Sequence, residues 1–163
     1  MNGAMLLPEF DHEMANTRKA LERVPADKLD FRPHEKSWTL RELAGHLAQL
    51  PGWTAITLET TELDMSQPFE QPRLETKADI LAAFDASVAG ARGALEKAGA
   101  QDLMIPWTLK NGEQVAFSLP RAAVLRSFVM NHNVHHRGQL TIYLRLTGGS
   151  VPALYGPSAD EQE

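Results

Sequence analysis

The sequence predicts an all-α four-helix bundle with a short β-hairpin between its third and fourth helices. Three observations predict it. Apolar residues recur at steps of three and four over four separate stretches, the spacing of one helical face. Proline- and glycine-bearing segments separate those stretches. One Asn-Gly pair lies between two short apolar runs, the usual signal of a tight hairpin. At 163 residues the chain can bury a core as a single domain, taken as 1–163.

Helix one reads from about Leu7 to Leu21, because Phe10, Met14, Thr17, Leu21 and Val24 step by four and three before Pro25. Helix two begins at Leu40, behind a Thr39-Leu40-Arg41-Glu42 segment with capping-box spacing. It carries Leu43, His46, Leu47 and Leu50, is kinked by Pro51-Gly52, and resumes from Trp53 to Leu63. Met65 to Glu75, with Pro68 and Pro72, is a connector. Helix three is capped by Thr76, has Asp79 in its first turn, and displays Ile80, Phe84, Val88, Ala91 and Leu95 before Gly99. Trp107-Thr108-Leu109 and Val115-Ala116-Phe117 then flank Lys110-Asn111-Gly112-Glu113, which predicts the hairpin. Helix four runs from about Pro120 to Leu146 and is closed by Gly148-Gly149, with an extended tail from Val151 to Pro157.

Composition narrows the function. The chain is 43% hydrophobic and 23% charged, ordinary for a globular protein, and no stretch approaches the length of a membrane span. The start lacks a basic region and a full apolar core, so no signal peptide is expected. Absence of cysteine removes disulfides, thiolate ligands and cysteine nucleophiles, and fits a cytoplasmic protein. A net charge of −5 has the wrong sign for a nucleic-acid binder.

Three of the six histidines fall between positions 132 and 136. His132 and His136 are four apart, so both rings leave one helical face and can converge on one metal ion. They interrupt an apolar seam of Leu125, Val129, Leu140 and Tyr143. A buried imidazole without a partner costs on the order of 1–3 kcal/mol, and a divalent cation would satisfy both rings. His46, inward on helix two, is the third candidate, and three histidines leave an open coordination position, as catalytic metal sites do. For His46 alone, a hydrogen-bonded core histidine is the simpler reading. His135 ranks lower, while His12 and His34 are taken as solvated. Trp38, Trp53 and Trp107 read as core or pocket wall, with Tyr155 a further wall candidate. Glu42 is a solvated helix charge with a minor claim to orient His46. Arg137, about 100° round the helix from His136, is directed to the surface or an interface. Catalytic residues beyond the ligands remain unassigned.

These residues resemble the DinB/YfiT-like superfamily of four-helix bundles. The resemblance rests on Ser37-Trp38-Thr39 leading to Gly45-His46-Leu47, on His132-Asn133-Val134-His135-His136-Arg137-Gly138-Gln139-Leu140, and on Gly156-Pro157-Ser158. It implies an up-down-down-up bundle and a divalent transition metal, zinc or nickel, held by His46, His132 and His136. It implies homodimers, for which Met130 and Val134 offer an apolar outer edge. It also implies a transferase that acts on a low-molecular-weight thiol and an electrophile, with no nucleic-acid or membrane partner. A metal-dependent hydrolase and a non-catalytic metal- or ligand-binding stress protein are the alternatives. The hydrolase would need a carboxylate facing the open position, and Glu42, the one inward candidate, is on the wrong side of a regular helix two.

Overall fold

The computed structural model describes residues 2–68 and 72–162. It is mostly helical, with four helical rods and a small three-stranded sheet. The first rod, α1 (Leu7–Glu22), opens with Pro8 in its first turn, where a missing N–H is harmless. The second rod begins with α2 (Leu40–Gln49), whose capping box is complete: Thr39 accepts from the Glu42 N–H and Glu42 accepts from the Thr39 N–H. Pro51 and Gly52 do not end this rod. They tighten it into a 3₁₀ turn, Leu50–Gly52, from which α3 (Trp53–Glu59) continues.

Helix α3 stops earlier than the sequence pattern predicts. Thr60 turns extended, Leu63 falls in strand β1 (Glu62–Asp64), and that strand pairs parallel with β2 (Pro106–Asn111). Tertiary hydrogen bonds account for the difference. The Thr60 hydroxyl accepts from the Trp107 indole (3.0 Å), and its carbonyl accepts from the Arg121 guanidinium (2.7 Å). β2 pairs antiparallel with β3 (Gln114–Pro120), so the expected hairpin is present. Its loop is Gly112-Glu113, with Gly112 at φ +60, and Asn111 is the last paired residue of β2 rather than part of the turn.

The third rod, α4 (Lys77–Lys97), has a second capping box between Thr76 and Asp79. The fourth, α5, spans 121–146 in three segments: α-helical Arg121–Val124, π-helical Leu125–Asn131 and α-helical His132–Leu146. α1 and α2 each pack against both α4 and α5. Phe10, Leu21, Leu43, Leu47, Phe84, Leu95, Leu125 and Leu140 join from all four rods in one apolar cluster. Each such side chain contributes about 1.5–3 kcal/mol by leaving water. Met14 and Met130 are buried within this interior, so Met130 does not lie on the outer edge expected of it. Among the described residues no helix is long and apolar enough to cross a membrane.

Arg137 reverses its expectation. It is 1% exposed, facing α1 rather than solvent or an interface. Its guanidinium donates to the Glu13 carbonyl (2.9 Å), the Glu13 carboxylate (2.7 Å) and the Thr17 hydroxyl (3.2 Å). The Tyr155 hydroxyl, in the tail, accepts from Arg137 and donates to Glu13 (2.6 Å). Tyr155 is therefore a tail anchor and not a pocket wall. Burial pushes the Glu13 carboxyl up, but the hydrogen bonds from Tyr155 and Arg137 outweigh it and hold it below its ordinary value.

Removing one partner of a buried pair strands the other charge, so Arg137→Ala should lower unfolding free energy by about 3–5 kcal/mol in urea titrations. An unchanged midpoint would contradict the clamp. A depressed folded-state carboxyl stabilises above the ordinary carboxylate range and loses that contribution as pH falls through its lower folded value. Glu13→Gln should therefore flatten the acid limb of stability against pH, and an identical limb would show that the pair carries none of it.

Candidate metal centre

Each histidine of the site is carried by a rigid element. His46 sits in the last turn of α2, and His132 and His136 occupy successive turns of α5, which packs on α2. All three rings turn their Nε2 atoms inward. His46 Nε2 lies 3.4 Å from His132 Nε2, which lies 2.8 Å from His136 Nε2. One nitrogen from each residue falls within 4.8 Å of the others, so the group could hold a metal ion.

The outer nitrogens leave the inner ones free to hold a cation. His132 Nδ1 faces the Phe128 carbonyl at 3.2 Å, and His136 Nδ1 faces Gln139 Oε1 at 2.7 Å. Oxygens of this kind only accept, so both protons sit on Nδ1 and both Nε2 atoms carry bare lone pairs. Two lone pairs facing each other at 2.8 Å repel unless something positive lies between them. Bonds of 2.0–2.1 Å in a tetrahedron separate two nitrogens by about 3.3 Å, so the His46–His132 spacing already suits zinc and the His132–His136 spacing needs a small ring rotation.

Protonation does not relieve this arrangement near neutral pH. Burial first, then the neighbouring His136 and His132, lowers His46 to about 4. Burial also lowers His132 and His136, partly opposed by their bonds to Phe128 and Gln139. Neutral imidazoles are the form a metal requires, so no proton must be displaced at neutral pH. Nitrogen donors without thiolates or nearby carboxylates suit zinc or nickel better than calcium or magnesium.

An aromatic collar surrounds the cluster. Trp38 stacks on His136 (centroids 5.4 Å apart, 23° between planes) and meets His46 edge-on at 5.1 Å. Phe128 lies 5.5 Å from His132, with Trp53 behind it at 5.1 Å. Trp107 is fully buried against Phe117, away from the cluster, and is core. His135 is exposed and touches His136 with its ring edge without joining the group. His12 and His34 are exposed, as expected. Glu42 is committed to its cap, where its carboxylate accepts from Thr39 N–H (2.7 Å) and Oγ1 (2.9 Å), and is not among the groups that converge to hold an ion.

Gln139 and Tyr143 escape a reading based on ligand types alone. Gln139 fixes the His136 tautomer, and the Tyr143 hydroxyl donates to the Trp38 carbonyl at 2.9 Å, which steadies the collar. Both lie one or two turns beyond His136 on its own face, a spacing that could have marked them.

Four helical rods, a small sheet and a three-histidine cluster between the second and fourth rods define a helical protein class with, among the described residues, one candidate cation site. Residues 1–163 match the DinB family, and the chain belongs to it. An uncharacterized protein of Bacillus subtilis (strain 168), YrdA, is 28% identical over 159 residues, covering 95% of this chain and 89% of that protein. A DinB-like crystal structure from Bacillus cereus ATCC 10987 superposes with a TM-score of 0.71 at 21% identity, covering 92% of this chain and 95% of that one. A second, YjoA of Bacillus subtilis, gives 0.72 at 19% identity, covering 98% and 99%. These two likenesses show the fold.

Elemental analysis of protein purified without chelators should find about one transition metal per chain, and His132→Ala should remove it. Gln139→Leu, which leaves all three ligands, should weaken affinity about 10–100-fold. Metal-free wild-type protein that takes up neither zinc nor nickel would end the metal reading.

Proposed function

We propose that this chain is a metal-dependent transferase that joins a low-molecular-weight thiol to an electrophile, with His46, His132 and His136 as the ligands of a zinc or nickel ion. The observation that carries the proposal is the set of three inward Nε2 atoms, two of them with their protons held on the outer nitrogens. Three protein ligands leave room for a substrate atom, as in catalytic sites. A divalent cation, when bound, supplies the Lewis acidity that lowers the pKa of a thiol presented to it.

The chain's own groups do the rest. Phe128 and Gln139 keep the ligand tautomers fixed, so the ring nitrogens need no rearrangement. Phe128 covers the His132 side of the cluster, and the exposed part of Trp38 offers apolar surface for the electrophile. Hydrolysis is the weaker reading, because a base must face the reacting water and Glu42 is held in its helix cap.

The proposal extends to an up-down-down-up bundle forming one domain, 1–163, supported by the contacts of α1 and α2 with both α4 and α5. A homodimer follows the family resemblance. A cytoplasmic setting suits a substrate that must stay a free thiol.

Zinc- or nickel-loaded protein, offered a panel of small thiols and a chromogenic electrophile, should consume thiol in a metal-dependent way that His132→Ala abolishes. If no thiol reacts faster with the loaded protein than without it, the transferase reading falls below the hydrolytic and non-catalytic ones.

A further inference from the structure

Trp38 does more than shield the histidines. The residue is 45% exposed although its ring stacks on His136 and meets His46 edge-on. The segment is held in place from below, where Tyr143 donates to its carbonyl and packs edge-on against Phe31 at 6.3 Å. A large apolar ring kept half in water at a candidate metal site is a surface prepared for contact.

Trp38 lines two cavities, one shared with His46 and the other with His136. The first, of about 500 Å³, reaches His46 and is lined by Asp30, Arg41, Glu42 and Arg73. Charges of both signs meet there: Arg41 bonds Asp30 (2.9 Å), and Arg41 (3.3 Å) and Arg73 (2.6 Å) both bond Glu75, which lies outside the lining. The second, of about 470 Å³, reaches His136 and is lined by Leu43, Ile142 and Tyr143, with Lys36 as its one charged group. Ile142 is 60% exposed there. Both volumes fall within the range of small-molecule sites.

We propose that these cavities are separate substrate subsites divided by Trp38. The charged cavity beside His46 takes a small zwitterionic thiol, whose ammonium and carboxylate match the paired acids and arginines. The apolar cavity beside His136 takes a carbon electrophile laid against Trp38 and Ile142. This assignment rests on the transferase reading. In the reaction the thiol proton passes to solvent and a sulfur lone pair forms the new C–S bond. The bond from that carbon to its leaving group breaks with its electron pair on the leaving group, so no oxidant or reductant is needed. Near-neutral pairing in the first cavity favours a zwitterion over a plain anion, and the scarcity of charge in the second favours an apolar partner.

The test uses metal-loaded protein with L-cysteine and chlorodinitrobenzene as probes. The exposed double variant Asp30→Asn, Arg73→Gln should raise KM for cysteine about threefold, the scale of exposed charge contacts, and leave KM for chlorodinitrobenzene unchanged. Ile142→Ser should do the reverse, raising KM for chlorodinitrobenzene about fivefold through lost apolar contact. If both variants move the same KM, exchange their effects or move neither, the two-subsite assignment is overturned while conjugation stands. If the wild type conjugates no thiol, the transferase reading fails separately, and calorimetry of cysteine with the loaded protein still decides the first subsite. Binding weakened by the double variant supports it, and binding unaffected or absent in the wild type overturns it.

Discussion

Bare nitrogen lone pairs brought face to face inside a helical fold are the constraint on which this structure turns. The Phe128 carbonyl and Gln139 each take the outer proton of a ring, and packing of α2 on α5 brings a third ring alongside. Burial then keeps the imidazoles neutral, so repulsion cannot be relieved by an ordinary change of protonation. A protein that only needed a core would fill this seam with leucine, as it does one and two turns further on at Leu140 and Leu144.

Helix α5 carries two stripes with different tasks. His132 and His136 point toward His46 on α2, while Asn133 and Arg137, one residue further on, point toward Thr17 and Glu13 on α1. The second stripe is the foundation of the first, because the buried Arg137 holds α5 in rotation about its axis. Seven π-helical residues, Leu125–Asn131, lie immediately before the first ligand. Such segments change the phase of a helix and gather at functional sites, and here the altered phase leads straight into the histidines.

Much of this was legible in residue types and spacing. Four rods followed from apolar periodicity, the Thr39 capping box and the Thr76 cap; the first box forms, and Asp79 completes a second one. The three histidines were legible because imidazole is out of place on an apolar seam. Other features lay beyond single-chain patterns. Strand β1 is three residues long and owes its shape to Trp107 and Arg121, some fifty residues away in the chain. Arg137 was read from charge and helical angle, which favour the surface for an arginine considered alone. Only its complement, Glu13 four residues before Thr17 on α1, reveals a buried site. Trp38 lies outside any helix, so no periodicity pointed it at His46 and His136.

X-ray absorption spectroscopy of the zinc- or nickel-loaded protein is the most direct test of the central claim. Three imidazole nitrogens at about 2.0–2.1 Å, reduced to two in His46→Ala, are what the convergence of α2 and α5 predicts. A shell built from oxygen alone, or one unchanged when His46 is removed, would mean that the three rings do not close on one cation.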